Sequence, residues 1–271
     1  MLQLQEVHAH YGSAHVLHGV SLVVEAGQIV CLTGRNGKST TLKATMGVVR
    51  PTEGCITFKG ERLDGEPAHT ISGRGLAWVP EDRRCFASLS VEENIAVAAQ
   101  AKSGPSARRV AEALAFFPDL KARAGQRAGS LSGGQQQMLA IARALASEPE
   151  LIMLDEPTEG LSPIMVDVIR KGILESHARG ASILLVEQNI SLALAVAELF
   201  YVISRGAIVC RATQTEIRAR PELISQYLGV ARRERISRAS LSTTAQSSIG
   251  VLAAARLGPI TVQCPATAPR P

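Results

Sequence analysis

The chain has 271 residues, with 29 Lys and Arg against 24 Asp and Glu, a formal net charge of +5 and 3% aromatic residues. The charge excess sits in the last 42 residues, Val230–Pro271, where six arginines (Arg232, Arg233, Arg235, Arg238, Arg256, Arg270) accompany one acid, Glu234, so that residues 1–229 balance 23 bases with 23 acids. A nucleic-acid-binding face needs clustered bases with stacking aromatics, and a membrane span needs about 18 consecutive apolar residues; the neutral body offers neither, and no nucleic-acid partner is expected.

Two alternating stretches, Leu2–Val7 and Val16–Val24, predict antiparallel strands. The apolar run Gln28–Thr33 ends in glycine and leads into Lys38–Met46, which can be helical. Strand-like runs recur at Cys55–Lys59, Leu76–Val79, Leu151–Leu154, Ile183–Val186 and Tyr201–Ser204, with helical spacing between the last three, as in Ile164, Met165, Val168, Ile169 and Ile173. Strands alternating with helices predict an α/β fold with a mostly parallel sheet covered on both faces. The alanine-rich stretch at about 88–128 holds no strand candidate and opens with capping-box spacing at Ser90–Glu93, which predicts an inserted helical subdomain. After Gly229 periodicity stops, and residues 230–271 read as a disordered basic tail.

The N-terminus lacks a basic segment followed by an apolar one, so no signal peptide is expected. Five scattered cysteines without a Cys-x-x-Cys pair predict free thiols and a cytoplasmic location. His8, His10, His15 and His18 lack acidic or cysteine partners in the sequence and read as surface strand residues rather than metal ligands.

Two patterns carry chemistry. In Leu131-Ser132-Gly133-Gly134-Gln135, followed by the apolar helix pattern Met138–Leu145, consecutive glycines let backbone amides approach an anion while the helix start points its positive end the same way. Downstream, the buried strand Leu151–Leu154 runs into Asp155-Glu156. Two adjacent acids at the end of an apolar strand are costly unless they hold a cation or orient water, which assigns Asp155 to magnesium and Glu156 to the attacking water.

Together, Leu131–Gln135 and Leu154-Asp155-Glu156-Pro157 resemble the signature motif and Walker B of ABC-type ATPases, and the resemblance spans residues 1–229. The phrases Gly34–Gly37, Val79–Arg84, Glu159–Pro163 and Leu185–Asn189 are similar to the LivF-type ATP-binding subunit of branched-chain amino-acid importers. Urea and short-chain amide importers have similar subunits. The resemblance implies a P-loop NTPase core that binds ATP and Mg²⁺. Tyr11 would stack on adenine; Gly34, Arg35, Asn36, Gly37, Lys38, Ser39 and Thr40 would hold phosphates; Ser39 and Asp155 would hold the metal. Glu156 would polarise the attacking water, and Gln188, a second catalytic residue in the usual place of a histidine, would donate to the γ-phosphate, with Glu81 in the place of the Q-loop glutamine. Ser132, Gly133, Gly134 and Gln135 would meet ATP bound to a second ATPase subunit, another chain or a copy of this one. Two separate permease subunits and a periplasmic solute-binding protein would complete a transporter at the cytoplasmic face of the membrane. A soluble ABC protein of ribosomes or DNA repair would be marked by a second cassette or a coiled-coil insertion, and this sequence has neither.

One departure bears on activity. A P-loop reads G-x-x-x-x-G-K-[ST], its amides wrapping the phosphates, whereas this chain reads Gly34-Arg35-Asn36-Gly37-Lys38-Ser39. Two residues are missing before Lys38, and with them two amide donors and about 7 Å of extended chain. The expectation is a family fold that binds ATP weakly and hydrolyses it slowly, or a non-hydrolysing structural half of a heterodimer.

Overall fold

Apolar runs without alternation become strands buried on both faces. The computed structural model describes residues 1–100 and 106–222; the tail read at 230–271 lies outside them. The chain begins with β1 (Leu2–Tyr11), β2 (Ala14–Val24), β3 (Ile29–Gly34), α1 (Lys38–Thr45), β4 (Pro51–Phe58), β5 (Glu61–Arg62), α2 (Ala68–Gly73) and β6 (Leu76–Val79). Helices α3 (Val91–Ala99), α4 (Ser106–Ala115) and α5 (Pro118–Lys121) follow, then a 3-10 turn at Ala128–Ser130 and α6 (Gly133–Ala146). The order closes with β7 (Leu151–Asp155), α7 (Pro163–Ala178), β8 (Ser182–Val186), α8 (Ile190–Val196), β9 (Leu199–Ser204), β10 (Ala207–Thr213) and α9 (Gln214–Ala219).

Six strands form one sheet in the order β10-β9-β3-β8-β7-β6, parallel from β9 to β6 with β10 antiparallel at the edge. A second, antiparallel sheet has the order β2-β1-β4-β5. Alternate residues of the parallel strands feed two cores. Ile29, Cys31, Ile152, Leu154, Ile183, Leu185, Phe200 and Val202 pack with the helices α3 to α8. Val30, Leu32, Met153, Leu184, Val186, Tyr201 and Ile203 pack with α1 and the antiparallel sheet. Each such side chain contributes about 1.5–3 kcal/mol on full burial, so neither face of these strands admits a charge without a partner.

The capping box expected at Ser90–Glu93 starts α3, with both reciprocal hydrogen bonds present. Elsewhere the observed elements extend the sequence reading. β1 runs on to Tyr11, and β4 begins at Pro51, its largely exposed first half, Pro51–Gly54, pairing with β1 through backbone and through Thr52, whose Oγ1 donates to His8 O and meets His10 Nδ1. Cys31, Cys85 and Cys210 are free thiols. Cys55 is disulfide-bonded, which corrects the expectation of a free thiol at that position, since composition and spacing carry no information on pairing. Among the described residues no helix is long and apolar enough to cross a membrane.

Candidate nucleotide site

The link from β3 to α1 is only Arg35–Gly37. Gly34 has φ 120°, and a Cβ there would collide with the Ile203 carbonyl. The shortness of the loop presses it against the turn between β9 and β10: Arg35 N donates to Ile203 O at 3.0 Å, and Gly206 N donates to Asn36 O at 3.2 Å. One loop amide that could face an anion is therefore spent on a neighbouring strand. Gly37, φ 114°, starts α1 with no side-chain cap and no acid in the first turn. The positive end of that helix is thus left available to an anion. Buried Lys38 folds back across the loop, its Nζ donating to Gly34 O at 2.9 Å and lying 3.3 Å from Glu156 Oε1.

The acidic half comes from the ends of β7 and β8. Ser39 Oγ donates to Asp155 Oδ1 at 3.0 Å. Asp155 is 2% exposed, and its pKa is pushed up to about 6 by burial, assisted by the Glu156 and Glu81 carboxylates against the opposing Ser39 hydrogen bond. Glu156 adopts φ 46°, a strained conformation for a non-glycine residue at the end of a strand. Its carboxylate accepts two hydrogen bonds from Gln188 Nε2, at 2.8 and 2.7 Å. Glu159 is also raised, first by desolvation and then by Glu156 and Glu81.

These groups fit a divalent cation. Ser39, Asp155 and Glu81 line one cavity of about 210 Å³ together with Lys43, Pro80 and Asp82. A buried carboxyl held up by neighbouring acids is the environment that a cation relieves.

The loop after β6 joins this cavity to α6. Arg83 and Arg84 both have positive φ, 62° and 49°. Arg83 Nε donates to Gln137 Oε1 at 3.2 Å, and its guanidinium lies where a Cβ on Gly133 would come within 3.1 Å of Nη1. A side chain at Gly133 would have to displace the end of this arginine by a few tenths of an ångström. Ser132 caps α6, sharing a capping box with Gln135, while Gln135 Nε2 donates to Asp119 Oδ2 at 2.9 Å.

Of the residues singled out from sequence, the structure brings together Gly34, Lys38, Ser39, Glu81, Asp155, Glu156 and Gln188. Thr40 is buried in α1, and Arg35 and Asn36 are exposed. Tyr11 stands 46% exposed at the end of β1. The side-chain hydrogen bonds of Ser132 and Gln135 stay within α5 and α6. One residue escaped the sequence reading. Glu187, 3% exposed, accepts from Thr158 N and Thr158 Oγ1 on one oxygen and from Gln188 N and Asn189 N on the other, so it ties the chain after Glu156 to the chain carrying Gln188. A lone acid at the end of an apolar strand was its only signal.

Comparison with known proteins agrees with this geometry. A family model described as ABC transporter matches residues 17–159. The high-affinity branched-chain amino acid transport ATP-binding protein BraG of Pseudomonas aeruginosa is 42% identical over 232 residues, covering 84% of this chain and 100% of the relative. A probable branched-chain amino acid transport ATP-binding protein, LivF, of Archaeoglobus fulgidus is 36% identical over 221 residues, covering 80% of this chain and 94% of its own. Among solved structures, an ATP-binding subunit of an ABC transporter superposes with a TM-score of 0.73 at 30% identity, covering 84% of this chain and 96% of that one.

Proposed function

The chain belongs to the ABC transporter family of ATP-binding subunits, and from that premise we propose that it couples ATP binding and hydrolysis to uptake of branched-chain amino acids through separate permease subunits. The observation that carries this reading is the 42% identity to BraG along that protein's whole length, joined to the network of Lys38, Ser39, Asp155, Glu156 and Gln188. In this proposal Lys38 leaves Gly34 O and Glu156 to bind the β- and γ-phosphates. Ser39 and Asp155 hold Mg²⁺, which supplies neutralisation of phosphate charge. Glu156 takes up the attacking water, Gln188 orients Glu156, and Tyr11 stacks on the base. Ser132, Gly133 and Gly134 of a second ATPase subunit close over the phosphates. Glu81, at the head of the loop that carries Arg83 to α6, reports nucleotide state to the helices and through them to the permease. The assembly sits on the cytoplasmic face of the membrane, with a periplasmic binding protein delivering solute.

Reconstitution with its permeases and measurement of ATP-dependent leucine uptake tests the solute; uptake of urea or a short-chain amide in place of leucine would overturn it. The shortened loop, with Arg35 N already bonded to Ile203 O, supports weak ATP binding. Inserting Ala-Gly after Gly37 raises ATP affinity at least tenfold on this reading, whereas equal micromolar affinity in both forms refutes it. The same observation favours a second reading, a non-hydrolysing half of a heterodimer. That reading predicts almost no ATPase activity for the chain alone and normal activity in the complete transporter.

A further inference from the structure

Four of the six histidines meet on the outer face of the β1–β2 hairpin, which the nucleotide chemistry does not use. His8 and His10 alternate with buried Val7 and Ala9 and so share that face, while His10 and His15 are register partners across the strands. His15 is the hub. Its ring stacks on His10 with centroids 4.1 Å apart, lies 3.9 Å from His18 and 5.2 Å from His8. His8 Nδ1 and His15 Nε2 are 3.1 Å apart. That contact is a hydrogen bond in which one ring N–H donates to the other ring's lone pair, and a divalent cation taking its place would displace the shared proton.

We propose that His8 and His15 form a two-nitrogen clamp for a divalent transition-metal ion of the zinc, nickel and copper class. At metal–nitrogen bonds of about 2.05 Å, a nitrogen separation of 3.1 Å subtends about 100° at the metal, between the octahedral and tetrahedral angles. Imidazole is the ligand these ions favour over calcium and magnesium. Among the described residues no group of three or more His, Cys, Asp or Glu is arranged to enclose a metal, so water fills the remaining positions, or Glu53, the exposed register partner of His8 on β4, swings in. The spacing of the histidines along the sequence gives no hint of this, because a bulged register brings residues 8 and 15 together.

The location gives the clamp a consequence. It ties β1 to β2 beside Tyr11, and His18 N donates to Gly206 O at 2.8 Å while Gly206 N donates to Asn36 O. A cation here braces the hairpin that flanks the phosphate loop.

The test is a zinc titration of the full chain without nucleotide, followed by calorimetry and by the imidazole NMR signals, so its outcome is independent of ATPase activity. The proposal expects one micromolar site, with the His8 and His15 signals shifting together. It expects affinity to fall at least tenfold in His8→Ala and in His15→Ala, and to stay unchanged in His177→Ala, which serves as the control with the same loss of one histidine. Both hairpin positions lie at the surface, and an unchanged melting temperature verifies folding. Absence of a saturable site, or wild-type zinc affinity in His15→Ala, overturns the proposal.

Discussion

The segments at the carboxyl ends of the parallel strands differ in what holds them. The acidic segments after β7 and β8 keep a complete set of mutual contacts: Ser39 on Asp155, Gln188 on Glu156, and Glu187 across to Thr158. The segment after β3 has three residues between strand and helix and leans on Ile203 and Gly206. That link is held between two fixed flanks. Leu32 and Gly34 are fixed in the sheet by β8 and β9, and Thr41 and Leu42 are buried. A site built from side chains tolerates a short link better than a cradle of backbone amides would, since a side chain reaches its target through rotatable bonds whereas an amide goes where the chain goes.

The largest effect that sharpens this contrast is on rate. Replacing Glu156 by Gln removes the carboxylate but keeps its volume, and should lower the hydrolysis rate of the assembled transporter by about 10²–10⁴-fold, the range for loss of a general base. A loss under tenfold would show that the shortened loop already limits the reaction. Next in size is Glu187→Ala, which strips acceptors from Thr158, Gln188 and Asn189 in a buried position. Loss of a buried carboxylate serving several donors costs about 3 kcal/mol, visible as a lower urea midpoint; an unchanged midpoint would mean that the two loops stand without their tie.

The smallest effect depends on pH. Folding raises the Asp155 carboxyl from 3.8 to about 6, so the protonated form is the one the fold favours. Its stability contribution is complete below pH 3.8 and lost as pH rises through about 6. Asp155→Asn, neutral throughout, should therefore raise the metal-free melting temperature at pH 7.5 by roughly 2–4 °C, what about 1 kcal/mol gives in a domain this size. Near pH 4 the gain should vanish, and an equal gain at both pH values would point to packing instead of charge.

The parallel core was legible in the sequence for a plain reason: Leu151–Leu154 and Ile183–Val186 are apolar on both faces because both faces are covered. β10 was not, since Ala207–Thr213 is an edge strand of mixed exposure that follows its partner by one tight turn. In the site, Lys38, Ser39, Asp155 and Glu156 could be named from local pattern. Glu187 could not, because its work depends on residues 158 and 187 meeting, and neither could the contact of Asn36 with Gly206, which exists only once β9 lies beside β3.

On the proposed reading, the 3.3 Å pair between Lys38 and Glu156 would compete with nucleotide for the lysine. The ammonium that would meet phosphate is already occupied by the carboxylate that would meet water, so an incoming nucleotide must displace an internal occupant before it is held. Tight ATP binding by Glu156→Gln would then have two sources, arrested turnover and a vacated lysine. They separate cleanly with a non-hydrolysable analogue, for which only the second remains.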